Sequence, residues 1–389
     1  MSDIAHEGLI YRAFLLALSA MVSLHNPTIR LIGMDDPPRC PLPALLGPAK
    51  QAACFSICDE RLEVDSTTAL RYFSPPALGA NLREGLEQFL DLPLEDRTFQ
   101  YARRLDNVFT ACLDSENSEE LLKAEVVTWR GIMTKIMLGD TLDLNASYYN
   151  GVLYLEENPG PVRFDADSRC TFVGYTHLFE RLHPFALTGE HRHKFESICT
   201  VAAGGERCDG DVDMHTLWNT AIIRTLGSLK ILLVGEVDCV QPGYAENPSP
   251  ENYVELKTKK QKKVHNIAHK KWTMQSCLLG TQVIVLGLLD GNDVVQELVV
   301  YPVEPKTIHQ CIFDWGARVI HALRDHCMRS GSQENGNLKV WRVMLRKRHI
   351  DICELDATQV NKLNHGGVPR NGIIPVSFIR GLERRADAA

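Results

Sequence analysis

Two short acidic motifs, Glu236-Val-Asp238 and Glu255-Leu-Lys257, contain side chains suited to metal-assisted phosphate chemistry. If each motif lies on a β-strand, residues two apart share one face, so Glu236 points with Asp238 and Glu255 points with Lys257. Three carboxylates crowded beside a core repel one another unless they are protonated or neutralised by cations. Mg²⁺ prefers such oxygen ligands, and two ions roughly 4 Å apart can bind the attacking and leaving oxygens of a phosphoryl displacement. The pattern predicts a divalent-metal site in which Lys257 orients water or stabilises transition-state charge.

The residues around the motifs predict two paired strands. The apolar run at residues 231–234 is typical of a strand that is buried on both faces. The link at residues 241–252 contains three prolines and a glycine, which favour turns. A hairpin-like pairing of the two strands would therefore bring the acids together. The alternative is that the acids face solvent at strand ends, as most Glu and Asp side chains do.

The overall composition bounds the class of protein. With 389 residues, 44% hydrophobic and 23% charged, the sequence is typical of a globular protein with one large domain or two smaller ones. The net charge of -7 argues against a protein that coats nucleic acid, so any such contact must come from local positive patches. The twelve cysteines include no Cys-x-x-Cys pair, which favours buried thiols in a reducing compartment over disulfides or a zinc site.

The chain divides into an extension, one domain and a short tail. Residues 1–45 predict an extension that is helical at first and then rich in proline. A single domain is expected at residues 46–378 and a tail at residues 379–389. The apolar stretch at residues 9–24 contains Arg12 and lacks the basic residues that precede the core of a signal peptide. We therefore expect it to be a helix of the protein, and we expect no contact with a membrane.

Several segments predict particular elements. Residues 98–135 are typical of mostly helical structure, and residues 212–227 of a helix that leads into the strand of the first motif. Asn150-Gly151, between two stretches of alternating polarity, predicts a β-hairpin. The apolar spacing of residues 308–327 predicts an amphipathic helix.

A run of lysines follows the second motif. It consists of Lys259, Lys260, Lys262, Lys263, Lys270 and Lys271. Such a run is usually a solvated face. Its position beside the acids also favours a rim that attracts phosphate, and a nuclear import signal is a third interpretation. The sequence does not separate these roles.

Four motifs occur in one order along the chain: VTWRG at 127–131, GEVDC at 235–239, YVELK at 253–257 and KWTMQS at 271–276. With these motifs the chain resembles the DXO family of RNA 5′-end quality-control enzymes, particularly its fungal nuclear members. The resemblance runs from about residue 50 to residue 300. It implies an α/β (α+β mixed) fold, in which one domain has mixed β-sheets around a DxK-type nuclease core flanked by helices.

The resemblance also implies an activity. Members of the family hydrolyse RNA 5′ ends with Mg²⁺ or Mn²⁺, and two ions are expected here. They remove incomplete or NAD caps, convert 5′-triphosphate ends to monophosphate, or degrade RNA from the 5′ end. By this resemblance Lys257 and Gln275 would orient the nucleophilic water and the scissile phosphate, and Arg130 would contact the RNA backbone or cap phosphates.

The metal ligands implied by the resemblance come from both acidic motifs and from a third segment. Glu236, Asp238 and Glu255 would bind metal, with the Leu256 carbonyl as a further ligand. The family has a contiguous Gly-Tyr-Lys-Phe-Glu whose glutamate is another ligand. Lys-Phe-Glu is intact in this chain at Glu196, which is therefore the expected fourth carboxylate.

The third segment is interrupted in this chain. Eighteen residues, 176–193, separate Gly174-Tyr175 from Lys194-Phe195-Glu196. This insertion is either a family-atypical loop beside the active site or a retained intron translated in frame, since its removal restores the motif. A mature transcript that encodes the insertion throughout would eliminate the intron. If the insertion is real, it could displace Glu196 and weaken the metal site.

Three functions compete at this point. The first is a metal-dependent hydrolase of capped, NAD-capped or triphosphorylated RNA 5′ ends in the nucleus. The second is a weakly active or inactive partner that stabilises a nuclear 5′-to-3′ exoribonuclease, as some members of the resembled family do. The third is a DNA nuclease built on the same DxK core, for which nothing outside the core argues.

Overall fold

The computed structural model describes most of the chain beyond residue 43. The described residues are 28–29, 44–85, 104–158, 187–205, 212, 215–260, 266–331, 333–334, 336–346, 349–364 and 367–387. Outside them lie most of the expected N-terminal extension, Lys262 and Lys263, and residues 176–186 of the insertion. No helix within the described ranges is both long enough and apolar enough to cross a membrane.

The larger of two main sheets is mixed and has ten strands among the described residues. In spatial order they are β1 (Thr28–Ile29), β18 (His349–Glu354), β17 (Trp341–Arg346), β6 (Leu142–Tyr149), β7 (Val152–Glu157), β5 (Val126–Trp129), β10 (Leu229–Glu236), β9 (Thr216–Leu226), β2 (Lys50–Cys58) and β3 (Arg61–Val64). Strand β5 is parallel to both β7 and β10, whereas the other neighbours are antiparallel.

The smaller main sheet has six strands in the described part of the chain. In spatial order they are β14 (Val295–Pro302), β13 (Val283–Leu289), β12 (Tyr253–Lys260), β11 (Cys239–Val240), β4 (Arg71–Phe73) and β8 (Thr200–Ala202). Two ribbons complete the strands: β15 (Gln333–Glu334) with β16 (Asn337–Leu338), and β19 (Arg370–Asn371) with β20 (Ile374–Pro375).

Eight α-helices within the described ranges cover the sheets. They are α1 (Asp106–Asp114), α2 (Ser118–Leu121), α3 (Arg130–Leu138), α4 (Leu187–Ile198), α5 (Asn266–Leu279), α6 (Gln310–Arg329), α7 (Ala357–Leu363) and α8 (Val376–Asp387). Helix α8 packs on α1 through Phe378, whose ring centroid lies 4.7 Å from that of Phe109. The mixed sheets with flanking helices confirm the expected α/β (α+β mixed) fold class.

Strand β10 is buried on both faces, as the apolar run at residues 231–234 predicts. Ile231 and Leu233 belong to a core that includes helices α3 and α6. Leu232 and Val234 face the opposite core, which includes α1 and α8. All four side chains are at most 1% exposed. The strand that leads to Glu236 is therefore fixed between two layers of helices.

The predicted hairpin at Asn150-Gly151 is confirmed. Strands β6 and β7 pair in antiparallel fashion up to Tyr149 and Val152. The two turn residues have φ of 49° and 83°, as a two-residue turn of the type favoured by Asn-Gly requires. The amphipathic helix expected at 308–327 is also confirmed as α6.

Two segments expected to be helical contain strands instead. Residues 216–226 form β9, which pairs with β2 on one side and β10 on the other. The apolar residues 221–223 are all buried there, because a central strand has core on both faces and its sequence need not alternate. Residues 126–129, within the stretch expected to be mostly helical, form β5. Tertiary pairing overrides local propensity at both places.

The pairing that joins the two acidic motifs also differs from the expectation. Strand β10, which ends at Glu236, lies in the larger sheet and does not pair with β12, which contains Glu255. The short strand β11 pairs with β12 instead, with Cys239 opposite Val254. The chain thus crosses from one sheet to the other at residues 237–238. The link at 241–252 forms two 3₁₀ turns, in agreement with its proline content.

Helix α4 lies on the smaller sheet because one glycine leaves room for it. The Cβ of an alanine at residue 287 would lie 2.5 Å from Cε2 of Phe195, well inside van der Waals contact. Phe195 is completely buried and packs with Leu256 and Val285. Glu196 is the next residue of the same helix.

Candidate active site

Two parallel strands of the larger sheet end side by side at the candidate site. Trp129, the last residue of β5, is opposite Val234 of β10. Helix α3 begins at Arg130, and β10 continues to Glu236. Because the carboxyl ends of parallel strands lie at the same end of a sheet, Arg130 and Glu236 both follow that end of the larger sheet.

Strand β12 provides the second acidic motif from the smaller sheet. Val254 and Leu256 face the core that Phe195 helps to fill. Glu255 and Lys257 therefore face the opposite way, as the two-residue period of a strand requires. Both are buried, with 3% and 6% of their surface exposed.

Asp238 lies where the chain passes from one sheet to the other. Val237 is buried in the core between the sheets. Oδ2 of Asp238 accepts a hydrogen bond from the backbone N–H of Leu256 at 2.7 Å. The side chain of Asp238 is only 1% exposed. The two acidic motifs are therefore in direct contact, although their strands belong to different sheets.

Lys257 lies among the acids of both motifs. Its Nζ is hydrogen-bonded to the Glu255 carboxylate, donates to the Leu256 carbonyl at 3.0 Å and lies 3.7 Å from Oδ2 of Asp238. The Leu256 carbonyl, expected to be a metal ligand, accepts this lysine proton in the structure. An ammonium in this position can interact with an anion or a water molecule at the acids.

Arg130, the first residue of α3, is buried. Its Nη1 lies 3.4 Å from Oε2 of Glu255, and 11% of its side chain is exposed. The indole N–H of Trp129 donates to the Arg104 carbonyl at 3.2 Å. Arg130 thus connects α3 to β12 at the acidic cluster.

Helix α4 brings an arginine and a histidine to the acids. Nε of Arg192 donates to Oε1 of Glu196 at 2.5 Å, and Nη2 donates to Oδ1 of Asp238 at 2.9 Å. Nδ1 of His193 lies 3.0 Å from Oε2 of Glu196. Arg192 and His193 are the last two residues of the eighteen-residue insertion, residues 176–193, so the insertion forms the first part of the helix that contains Glu196.

The carboxylates of the site have very different proton affinities. Burial raises the pKa of Glu236 to about 7, and the negative charges of Glu196 and Asp238 act in the same direction. Burial also opposes ionisation of Glu196, but Arg192 and the hydrogen bond with His193 outweigh it and lower the pKa to about 2. Glu196 also holds the pKa of the Arg192 guanidinium well above its ordinary value. Ionisation is therefore less favourable for Glu236 than for Glu196, and a further cation near Glu236 would stabilise its ionised form.

The donor set has the chemistry of a magnesium or manganese site. Glu196, Glu236, Asp238 and Glu255 offer hard carboxylate oxygens, and the Glu236 carboxylate has no hydrogen bond or close ion pair with a described residue, although the charge of Arg192 favours its ionised form from farther away. Yet the part of the chain that the structure describes contains no group of three or more His, Cys, Asp or Glu side chains arranged to hold one ion. The residues present fit a divalent metal by type, and three of the four carboxylates are ion-paired with Arg192, Lys257 or Arg130.

A cavity of about 220 Å³ opens beside the acidic cluster. Its wall includes Trp129, Arg130, Asn219, Glu236 and Gln275. Lys135 and Glu157, which form an ion pair of 2.8 Å, also line it. The cavity therefore unites three of the residues expected to act on substrate or metal with polar side chains that sequence reasoning did not single out.

All of the predicted site residues fall in the described part of the chain. Ion pairs and hydrogen bonds directly connect five of them, namely Arg130, Asp238, Glu255, Leu256 and Lys257, and Glu196 joins these through Arg192. Gln275 and Glu236 join this set through the wall of the cavity. Sequence reasoning gave no role to Arg192, although its spacing of four residues from Glu196 is a recognisable helical ion-pair signal.

The lysine run has two described members on β12. Nζ of Lys259 lies 6.0 Å from the ring centroid of Trp272, and Lys260 forms an ion pair of 2.8 Å with Asp293. Lys270 and Lys271 are exposed on α5. These contacts do not distinguish a solvated face from a phosphate rim or an import signal.

Known proteins resemble the chain in both sequence and fold. The human "Decapping and exoribonuclease protein" is 29% identical over 277 residues, which cover 65% of this chain and 66% of the relative, slightly less than two thirds of its length. The Gibberella zeae "Decapping nuclease RAI1" is 29% identical over 295 residues, 70% of this chain and 74% of the relative. The structure of Candida albicans Rai1 in complex with pU5-Mn²⁺ superposes with a TM-score of 0.68 at 18% identity, over 92% and 99% of the two chains.

The structural likeness, at that identity, establishes the fold. A family assignment follows from the sequence, because the profile of the RAI1 like PD-(D/E)XK nucleases matches residues 48–379, most of the chain. This match confirms the resemblance found in the motifs and the expectation of a hydrolase family, since nucleases are hydrolases. The chain belongs to the RAI1-like PD-(D/E)XK nuclease family.

Proposed function

We propose that this protein is a divalent-metal-dependent hydrolase that acts on RNA 5′ ends. The observation that carries the proposal is the meeting of Asp238, Glu255 and Glu196 in one network of ion pairs beside a cavity lined by Glu236 and Arg130. The names of the human and Gibberella zeae relatives, a decapping and exoribonuclease protein and a decapping nuclease, support RNA 5′ ends as the substrate.

The metal would be Mg²⁺ or Mn²⁺, and we propose two ions. Bound Mn²⁺ in the related Candida albicans structure supports this choice, as does the all-carboxylate donor set. Glu196, Glu236, Asp238 and Glu255 would hold the ions. When bound, such ions polarise a phosphoryl oxygen and make a coordinated water molecule a better nucleophile.

The remaining site residues would act on the substrate directly. Lys257, whose ammonium lies between Glu255 and Asp238, is placed to orient the attacking water or to stabilise negative charge that develops on the phosphate. Gln275 and Arg130 line the cavity, where an amide and a guanidinium can bind phosphate oxygens. The finer activities proposed are removal of incomplete or NAD caps, release of pyrophosphate from 5′-triphosphate ends and 5′-to-3′ degradation.

A second function is proposed because the carboxylates are already paired with cations. In this alternative the chain has weak activity or none, and it stabilises a nuclear 5′-to-3′ exoribonuclease as a binding partner. The ion pairs of Arg192 with Glu196 and Asp238 favour it, because they oppose metal binding. Both functions assume that the protein acts in the nucleus, which localisation by fluorescence microscopy would test.

The decisive experiment uses a panel of RNAs with triphosphate, unmethylated-cap, methylated-cap and NAD-capped 5′ ends. Products are identified by mass spectrometry, since cap dinucleotide, pyrophosphate and NAD are distinct. Wild type is compared with Asp238→Ala and Glu255→Ala in Mg²⁺ or Mn²⁺. A matched control is Glu354→Ala. Glu354 lies on β18 and is paired with Lys339, and several strands of the larger sheet separate β18 from the strands β5 and β10 that end at the site.

We expect turnover of at least one RNA by wild type and by the control, and a loss of about 100-fold or more in both site variants. Equal rates in wild type and site variants would refute the assignment of the site. If wild type turns over none of the RNAs but co-purifies with a 5′-to-3′ exoribonuclease, the binding-partner function is the correct one.

A further inference from the structure

Arg192 connects two carboxylates that come from different parts of the fold. Glu196 is one helical turn after it on α4, and Asp238 follows strand β10. Nε of the guanidinium donates to Oε1 of Glu196 at 2.5 Å, and Nη2 donates to Oδ1 of Asp238 at 2.9 Å. Both carboxylates belong to the set proposed to hold metal. A single guanidinium therefore binds oxygens that a divalent ion would also need.

The remaining oxygens of these two carboxylates are also engaged. Oε2 of Glu196 lies 3.0 Å from Nδ1 of His193. Oδ2 of Asp238 accepts the backbone N–H of Leu256 at 2.7 Å and lies 3.7 Å from Nζ of Lys257. No oxygen of either carboxylate is without a donor or a cation nearby. A carboxylate oxygen can accept a hydrogen bond and coordinate a metal at the same time, so the contacts that conflict with a metal ion are those made by cations.

Arg192 is the contact best placed to be replaced. The Leu256 N–H is fixed by the backbone of β12, and Lys257 is 7% exposed at its side chain. The side chain of Arg192 is 33% exposed, so the guanidinium can reach water without crossing the core. An arginine is long and flexible, and its charge stays hydrated when it turns outward.

Electrostatic repulsion disfavours simultaneous contact of the guanidinium and a divalent ion with the same oxygens. Each cation stabilises the ionised carboxylates, but two cations in contact with one carboxylate oxygen repel each other. The lack, among the described residues, of a group of three metal-ligating side chains in a suitable arrangement agrees with carboxylates oriented toward arginine and lysine.

We propose that Arg192 is an internal cation that competes with divalent metal for Glu196 and Asp238, so that metal binds when the guanidinium turns outward. This inference rests on the proposed metal-dependent function. It concerns this chain in particular, because Arg192 lies in the insertion at residues 176–193. The apparent affinity for metal is then reduced in proportion to the fraction of molecules in which the guanidinium has left the carboxylates.

The experiment measures equilibrium binding of Mn²⁺ to the full chain by the electron paramagnetic resonance of free Mn²⁺, without substrate. Wild type is compared with Arg192→Met, which keeps an unbranched side chain but removes the charge. The control is Arg342→Met, which removes the same charge from a pair with Asp143 at 3.4 Å on strands β17 and β6. We expect Arg192→Met to bind Mn²⁺ about tenfold more tightly or better, and the control to stay within about twofold of wild type.

Thermal unfolding provides a second measurement that a purely structural role would not reproduce. In EDTA, Arg192→Met should unfold at a lower temperature than wild type, because Glu196 and Asp238 lose a counter-ion. In saturating Mn²⁺ the variant should gain more stability than wild type, since bound metal stabilises the folded state by mass action. Should Arg192→Met fail to fold in EDTA, Arg192→Lys retains a charge without the planar fork and should bind Mn²⁺ with intermediate affinity.

The possible results distinguish a failure of the competing-cation role of Arg192 from a failure of the proposed metal-dependent function. Equal Mn²⁺ affinity in wild type and Arg192→Met overturns the competing-cation role and leaves the metal site intact. Weaker binding by the variant also overturns it, because Arg192 would then support the metal ligands. If neither protein binds Mn²⁺ at millimolar concentration while both are folded, the metal-dependent function and this inference are both wrong.

Discussion

Oδ2 of Asp238 accepts the backbone N–H of Leu256 at 2.7 Å, and this hydrogen bond joins the two acidic motifs across the boundary between the sheets. Asp238 follows a strand of the larger sheet, whereas Leu256 lies within β12 of the smaller sheet. This hydrogen bond holds Asp238 of the first motif next to Leu256, the neighbour of Glu255 in the second motif. A side chain expected to bind metal thus also has a structural role, and substitutions can separate the two.

Asp238→Asn and Asp238→Ala are expected to abolish activity equally but to differ in stability. The amide oxygen of asparagine can still accept the Leu256 N–H, whereas alanine leaves this buried donor without a partner. We expect Asp238→Ala to lose about 1–3 kcal/mol more of the free energy of unfolding than Asp238→Asn. Urea unfolding measures this difference, and turnover of the RNA panel used to test the proposed function measures the common loss. Equal free energies of unfolding would show that the hydrogen bond contributes little.

The sequence predicted the parts of the site that depend on local pattern. The spacing of Glu236 with Asp238 and of Glu255 with Lys257 indicated shared faces, and the run at 231–234 indicated a strand buried on both sides. These inferences use only the period of a strand and the burial of apolar residues. The burial of the run and the shared face of Glu255 and Lys257 hold, because neighbouring residues determine them. Asp238 lies beyond the end of β10, so the period of that strand does not place its side chain.

The parts that depend on distant pairing were not predictable in the same way. Residues 216–226 contain buried positions on both faces, so a central strand and a buried helix have similar sequences there. The transfer of the chain from one sheet to the other at Val237 is set by the order of the strands and not by a local signal. The role of Arg192 depends on Asp238, which lies forty-six residues away in sequence.

Gly287→Ala is expected to destabilise the protein by overpacking. The new Cβ would lie 2.5 Å from Cε2 of the buried Phe195, so the strand or helix α4 must move. We expect a loss of about 1–3 kcal/mol in the free energy of unfolding, measured in urea. A smaller side chain in Phe195→Leu should relieve part of this loss, so the double variant should be more stable than the sum of the single effects predicts.

The matched control for that cycle is Gly291→Ala, in the turn between β13 and β14. A Cβ at residue 291 has no neighbour within 4 Å, so its stability should change by less than about 0.5 kcal/mol. Because Phe195 precedes Glu196, Gly287→Ala should also weaken Mn²⁺ binding, whereas Gly291→Ala should not. A similar loss of stability in both glycine variants would argue against the close approach of Phe195 as the cause.

Arg130→Met is expected to change how RNA binding depends on salt. If Arg130 contacts a phosphate, its removal should reduce the slope of log affinity against log salt by about 0.7 for a single strand. Fluorescence anisotropy with a 5′-labelled oligonucleotide, in Ca²⁺ to prevent turnover, measures the slope. Arg346→Met, on strand β17 and paired with Asp351, removes an arginine away from the cavity and should leave the slope unchanged. If the slope is unchanged in both arginine variants, Arg130 does not contact RNA phosphate and only forms its ion pair with Glu255.

Glu156 is a second buried acid, and it lies outside the acidic cluster. It is completely buried on β7, with Nε of Arg104 at 3.2 Å from Oε1. Burial raises the pKa of Glu156 from its ordinary value of 4.5 to about 7, although Arg104 and Arg370 partly oppose the shift. The folded state therefore holds this proton more tightly than the unfolded state. The resulting stability is fully present below pH 4.5 and is lost as the pH rises through 7.

Glu156→Gln should therefore flatten the dependence of stability on pH. In wild type, this group is expected to lower the free energy of unfolding by about 3 kcal/mol as pH rises from about 4.5 to about 7. Glutamine has nearly the same shape as glutamate but does not titrate in this range. The free energy of unfolding of wild type minus that of the variant should therefore fall by about 3 kcal/mol from about pH 4.5 to about 7. Urea unfolding at pH 5, 6, 7 and 8 measures it, with the exposed Glu354→Gln as control. A difference that stays constant with pH would mean that Glu156 is ionised throughout, because Arg104 then compensates fully for burial.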